Sequence, residues 1–147
     1  MWEKITQSLF KKNSALLTPI ASILFVDDND LQRKLISRIL TKRNYRVLLS
    51  ENGEQGLAIA KAEKPDLILL DIVLPGINGI EVCKRLKNDP TTSNIPVLFF
   101  TGSDTPQNIL DCYEFGAENY LNKSISAGAL ISQIEMTLKE SELSAET

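Results

Sequence analysis

Five short apolar runs alternating with five stretches of helical spacing predict an α/β protein built on a parallel sheet. The runs carry almost no polar side chains, the pattern of strands covered by helices on both faces. Five such units, joined by right-handed crossovers, fit a flavodoxin-like (βα)5 doubly wound parallel sheet with strand order 2-1-3-4-5.

Each element has its own reason. Ile23–Val26 is the first strand, and it runs into Asp27 and Asp28. Leu31, Leu35, Ile39 and Leu40 then share one helical face, with Asn29 or Asp30 placed to cap the helix. Arg46–Leu49 is the second strand. Leu57, Ala58 and Ala60–Ala62 make a second helix, ended by Lys64-Pro65 because a residue before proline avoids the helical region. Leu67–Leu70 is the third strand, and Val82, Cys83 and Leu86 mark the helix after it. Val97–Phe100 and Tyr120–Leu121 complete the sheet; Ile109, Leu110 and Tyr113 give the fourth helix, and Leu130, Ile131, Ile134 and Leu138 the fifth. Gly102, Gly116 and the Asp89-Pro90 step punctuate turns. One domain over 21–140 is expected, with an extension over 1–20 and a tail over 141–147. In the extension, MWEKITQSLFKK would place Trp2, Ile5 and Leu9 on one side of a short amphipathic helix that docks on this domain or a partner, with a frayed leader as the equal alternative.

Composition narrows the chemistry. The chain has 147 residues, enough for one domain with a sizeable core, and a net charge of −3. No basic run is longer than a pair such as Lys11-Lys12, so no nucleic-acid partner is expected. There is no histidine, which removes Cys/His zinc sites and histidine-based catalysis. Cys83 and Cys112 read as two buried thiols in a reducing cytoplasm. The stretch after Lys12 imitates a signal peptide, but Pro19 and several Ser/Thr interrupt it and an acid pair ends it. It is too short to span a bilayer, so no membrane insertion is expected.

Open α/β sheets bind ligands beyond the carboxyl ends of their strands, where the strand order reverses. Here that place lies between the first and third strands. Asp27 and Asp28 follow the first, and Asp71 ends the third in DLILLD. Thr101 closes the fourth in VLFFT, and Lys123 follows the fifth in NYLNK. Two carboxylates about 4 Å apart repel by roughly 4 kcal/mol at an effective dielectric of 20, so the cluster needs a cation, a shifted pKa or both. Oxygen donors without imidazole or thiolate select Mg²⁺ or Mn²⁺. Lys123 and Thr101 suit phosphoryl oxygens, and an Asp beside the metal can be the nucleophile.

The motifs VDD, LLDIVLPGINGIEV, FFTG and YLNK resemble the receiver domains of two-component response regulators, over about Ser22 to Leu138. Gly79, Thr101 and Lys123 follow Asp71 by 8, 30 and 52 residues, intervals similar to those of the chemotaxis receiver. The resemblance implies that Asp71 accepts a phosphoryl group from a sensor histidine kinase. It implies Mg²⁺ on Asp28, Asp71 and the Val73 backbone carbonyl, with Asp27 acting through water. Thr101 and Lys123 would bind phosphoryl oxygens, Tyr120 would turn inward as part of the switch, and Pro75 and Gly79 would shape the loop after Asp71. The face of helix 4, strand 5 and helix 5 would bind a downstream protein or pair two copies.

One departure stands out. The family usually has Lys-Pro after the fifth strand, commonly with a cis bond, and here Ser124 follows Lys123. A cis bond to a non-proline costs roughly 2.5–4 kcal/mol. Either that strain is kept or Lys123 is aimed differently, and slower or weaker phosphoryl coupling is expected. Val73, which cannot hydrogen-bond a water, and Ser103 sit where the family tunes hydrolysis, so a long-lived phosphate is expected.

Two other classes compete. Asp28-Asn29-Asp30 resembles the Asp-x-Asp of haloacid-dehalogenase-type phosphatases, with Asp28 as nucleophile, yet Leu31 replaces the small polar residue expected there. A pseudo-receiver that only binds partners is favoured by Ser124 and opposed by the intact acid set. The length suggests a stand-alone cytoplasmic receiver, or a relay passing phosphate to a histidine phosphotransfer protein.

Overall fold

The computed structural model describes residues 18–146, and statements of absence below refer to these residues. Its elements are β1 (Ser22–Val26), α1 (Asp30–Lys42), β2 (Arg46–Ser50), α2 (Gly53–Glu63), β3 (Leu67–Leu70), α3 (Gly79–Asn88), β4 (Val97–Thr101), α4 (Pro106–Glu114), β5 (Asn119–Asn122) and α5 (Ala127–Glu146). All strand pairs are parallel and the order is 2-1-3-4-5, as expected from the apolar runs. The expected amphipathic helix near the N-terminus lies outside the described residues. At the other end α5 runs to Glu146, so residues 141–146 are helical where a tail was expected.

Alternation along the buried strands splits the core in two. Leu24, Val26, Ile68, Leu70, Val97 and Phe99 face α2, α3 and α4 through Ala60, Val82, Cys83, Leu86 and Cys112. Ile23, Phe25, Leu67, Leu69, Leu98 and Phe100 face α1 and α5 through Ile36, Leu40, Leu130, Ile131 and Ile134. The period of two in a strand forces this partition once both faces are covered. β2, at the edge of the sheet, keeps the alternation with Leu48 on the first side and Val47 on the second, but Arg46 and Leu49 are exposed.

Two helices are rotated from the expected faces. In α1, Leu31 and Leu35 are 75% and 50% exposed while Ile36 and Leu40 are buried. In α4, Leu110 and Tyr113 are 63% and 48% exposed, and Cys112 is the buried residue. Both helices carry two apolar stripes about 100° apart, and only one can meet the sheet.

The helix starts are fixed locally. Asn29, Asn52, Asn78 and Thr105 each accept a backbone N–H three residues on, and Ser126 Oγ accepts that of Ala129. Each satisfies a donor that the first turn would leave unpaired.

Candidate functional site

Hydrogen bonds across the sheet bring the acids together. Asp27 donates its N–H to Ser50 O at 3.0 Å and Asp71 donates its own to Val26 O at 3.0 Å, which sets both just beyond adjacent strands. Asp27 is wholly buried, Asp71 is 4% exposed, and Asp28 is open to solvent. Carboxylate oxygens of the three residues lie within 4.8 Å of one another. Asp27, Asp28, Asp71, Val73, Thr101, Ser103 and Lys123 line one cleft.

Lys123 supplies the counter-charge. Its Nζ donates to Asp71 Oδ2 at 2.8 Å and lies 2.6 Å from Asp27 Oδ2. Asp27 Oδ2 is buried, and the Lys123 ammonium at 2.6 Å is the contact that meets its charge. Partial burial lowers the Lys123 pKa, the contacts with Asp27 and Asp71 raise it, and the net shift is upward. The lysine is therefore a permanent cation at neutral pH.

The loop after β5 resolves the question raised by Ser124. No peptide bond among the described residues is cis, and Lys123 still reaches both carboxylates. The strained cis bond is not found, and the loop is trans. Ser124 donates its N–H to Asn122 Oδ1 at 2.8 Å, a hydrogen bond that proline in its place would lack.

The β3–α3 loop is shaped by close contact. Val73 donates its N–H to Asp71 Oδ1 at 3.3 Å, and its side chain is 63% exposed beside the cleft. Pro75 precedes Gly76, whose φ is +76°, so the pair turns the chain. Gly79 donates its N–H to Ile72 O at 2.8 Å, and a Cβ there would stand 2.0 Å from the Asp71 carbonyl oxygen.

On the far side, Thr101 is fully buried and its Oγ1 accepts the Ser103 N–H at 3.2 Å. The Tyr120 hydroxyl donates to the Ser103 carbonyl, so Tyr120 and Thr101 meet at one residue. One contributor was missed by the sequence reading. Arg33, one turn into α1, donates from Nη1 to the Asp27 carbonyl at 2.6 Å and pairs with Asp30. Its side chain is only 13% exposed, and it pins the turn carrying Asp27 and Asp28. A basic residue one turn after an acid pair was the available clue.

The acid set fits a hard divalent cation. Three carboxylates within 4.8 Å of one another share one lysine, which offsets their anionic charge only in part.

A receiver-domain family, described as "Response regulator receiver domain", matches residues 23–135. The chain belongs to this family. Protein PilH of Pseudomonas aeruginosa is 38% identical over 119 residues, which cover 81% of this chain and 98% of PilH. Several further curated relatives are longer, and the chain spans about half of each. Among solved structures, a CheY-like receiver domain protein from Methanospirillum hungatei aligns with a TM-score of 0.80 at 27% identity, covering 84% of this chain and 97% of that one. The N-terminal receiver domain of Klebsiella pneumoniae RstA aligns at 0.74 and 31% identity, covering 80% and 97%. The receiver match leaves the dehalogenase-type reading without support. Geometry agrees: Lys123 contacts Asp27 and Asp71, whereas Asp28 is the exposed member.

Proposed function

We propose that the chain is a stand-alone, cytoplasmic response regulator whose Asp71 takes a phosphoryl group from the phosphohistidine of a sensor kinase. The observation that carries this reading is the juxtaposition of three carboxylates with Lys123 at the carboxyl edge of the sheet. Asp71 Oδ attacks phosphorus as the N–P bond to the histidine breaks. Lys123, already charged, receives a phosphoryl oxygen, and the Thr101 hydroxyl donates to another. Asp27, Asp28, Asp71 and the Val73 carbonyl would hold Mg²⁺ or Mn²⁺. When bound, that ion neutralises charge on the transferring group. Arg33 keeps Asp27 and Asp28 in place through the Asp27 carbonyl.

Output follows from the surface. Leu110 and Tyr113 are exposed on α4 and Met136 on α5, on the elements flanking Tyr120. An apolar face of this kind suits a downstream protein, a histidine phosphotransfer protein or a second copy. Thr101 and Tyr120, both tied to Ser103, would couple phosphorylation to it.

Acetyl phosphate with Mg²⁺, followed by mapping of the modified residue, tests the reading. Modification of Asp71, abolished by EDTA and by Asp71→Asn, is expected. Modification of Asp28, or of nothing, would sink it. Capture of a partner by phosphorylated wild type but not by Asp71→Asn would identify the output.

A further inference from the structure

We propose that Asn108 is a positioning residue for the phosphoryl group: through Ser103 it holds the Thr101 hydroxyl as a donor into the cleft. The inference rests on the phosphoacceptor reading above. Asn108 lies in the first turn of α4, where its own N–H is taken by the capping Thr105 Oγ1 at 3.3 Å. From that seat its Nδ2 donates to Ser103 Oγ at 2.8 Å. Two more contacts hold Ser103. Its carbonyl accepts the Tyr120 hydroxyl, and its N–H donates to Thr101 Oγ1.

The consequence concerns one proton. A threonine hydroxyl donates a single hydrogen and accepts through its lone pairs. With the Ser103 N–H on a lone pair, the Thr101 hydrogen must point elsewhere, and Thr101 shares the cleft with Asp71 and Lys123. A fixed Ser103 amide therefore selects the rotamer that offers O–H to a phosphoryl oxygen. Asn108 does not line that cleft, so it acts only through Ser103. It also ties the β4–α4 loop to the first turn of α4, on the face proposed for output.

The test uses the full chain and two titrations: Mg²⁺ alone, and beryllofluoride as a phosphoryl mimic in saturating Mg²⁺. Wild type, Asn108→Ala, Ser103→Ala and the double variant are compared, with urea unfolding run on each. Asn108→Leu, close in shape but without a donor, is the second single variant should Asn108→Ala not fold. Losing one ordering hydrogen bond should weaken beryllofluoride about three- to tenfold. Mg²⁺ affinity should not move, because the acids lie on the other side of the cleft. Both single variants should lose alike, and the double variant no more than either, since they break one contact. Unchanged beryllofluoride affinity in the Asn108 variants, parallel loss of Mg²⁺ affinity, or additive losses would each overturn the inference. Wild type that binds Mg²⁺ but no beryllofluoride would instead overturn the phosphoacceptor reading, and this inference with it.

Discussion

Gly79→Ala adds one methyl group where the start of α3 crosses the Asp71 backbone. The new Cβ would stand 2.0 Å from the Asp71 carbonyl oxygen, 2.8 Å from its carbonyl carbon and 2.9 Å from Ile72 Cα. Real contacts of this kind stay above 3.0 Å, so the backbone has to open by the difference. No flexible side chain can relieve these contacts, because the three nearest atoms are all backbone. The backbone is held as well, by Gly79 N–H on Ile72 O and by Asp71 N–H on Val26 O. Overpacking of this sort costs about 1–3 kcal/mol, and rigid neighbours push it toward the upper value. The shift falls on Asp71 itself, and a misplacement of about 1 Å lowers the rate of a positioned reaction by roughly 100-fold. Urea unfolding measures the first effect and the rate of acetyl phosphate labelling the second. Gly53→Ala is the control: its Cβ would meet the side chains of Val82 and Ile77, at 2.6 and 2.7 Å. It should cost stability while the labelling rate falls far less. Were Gly79→Ala to stay within about 0.5 kcal/mol of wild type and to label normally, the contact argument would be wrong.

Lys123→Met removes the cation between Asp27 and Asp71. Stripping one partner from a buried pair costs about 3–5 kcal/mol, and we expect about 1–3 because Lys123 is 22% exposed. Denaturation in EDTA should show the loss, and Mg²⁺ should recover much of it. Mg²⁺ should also raise the thermal midpoint of wild type, by the equivalent of about 2.7 kcal/mol at a hundredfold excess over its dissociation constant. Asp28→Ala should abolish that rise while barely moving the midpoint in EDTA, since Asp28 is exposed. Burial pushes the Cys83 thiol up to about 11 and the Cys112 thiol up to about 12. Both values stand above the ordinary 9.0, so the native thiols stay protonated and unreactive near neutral pH. The sign follows: below about pH 9 the thiols leave stability unchanged, and above it the unfolded chain loses protons that the folded one keeps. Stability should therefore fall as pH rises from 9.0 toward about 11 and 12, and Cys83→Ala with Cys112→Ala should flatten that slope. Alkylation at about pH 8 should need unfolding; rapid labelling of the native chain would contradict the buried thiols.

How much of this was legible in the sequence differs from residue to residue. The four buried residues of ILFV and the run LILL announce strands with helices on both faces, because a sheet covered on one side only would alternate apolar with polar. The acids were legible for a related reason. Asp27 and Asp71 directly follow those runs, and a parallel sheet puts all such ends at one edge. Arg33 was passed over because a basic residue on a helix usually faces water, and only the folded turn shows it bent back onto the Asp27 carbonyl. Ser103 was named, but not as the residue where Thr101, Tyr120 and Asn108 converge, since hydrogen bonds between loops leave no periodic trace.

The sequence alone determined the class of fold, the strand ends and the chemistry of the acid set, because local periodicity and residue type dictate all three. Tertiary structure decided which stripe of α1 and α4 turns inward, since two adjacent apolar stripes compete for one sheet and packing settles the choice. It also decided how Lys123 reaches its acids without the usual proline. A trans loop held by Asn122 and Ser124 aims the lysine, and that aim depends on where β4 and β5 place their ends rather than on any residue by itself.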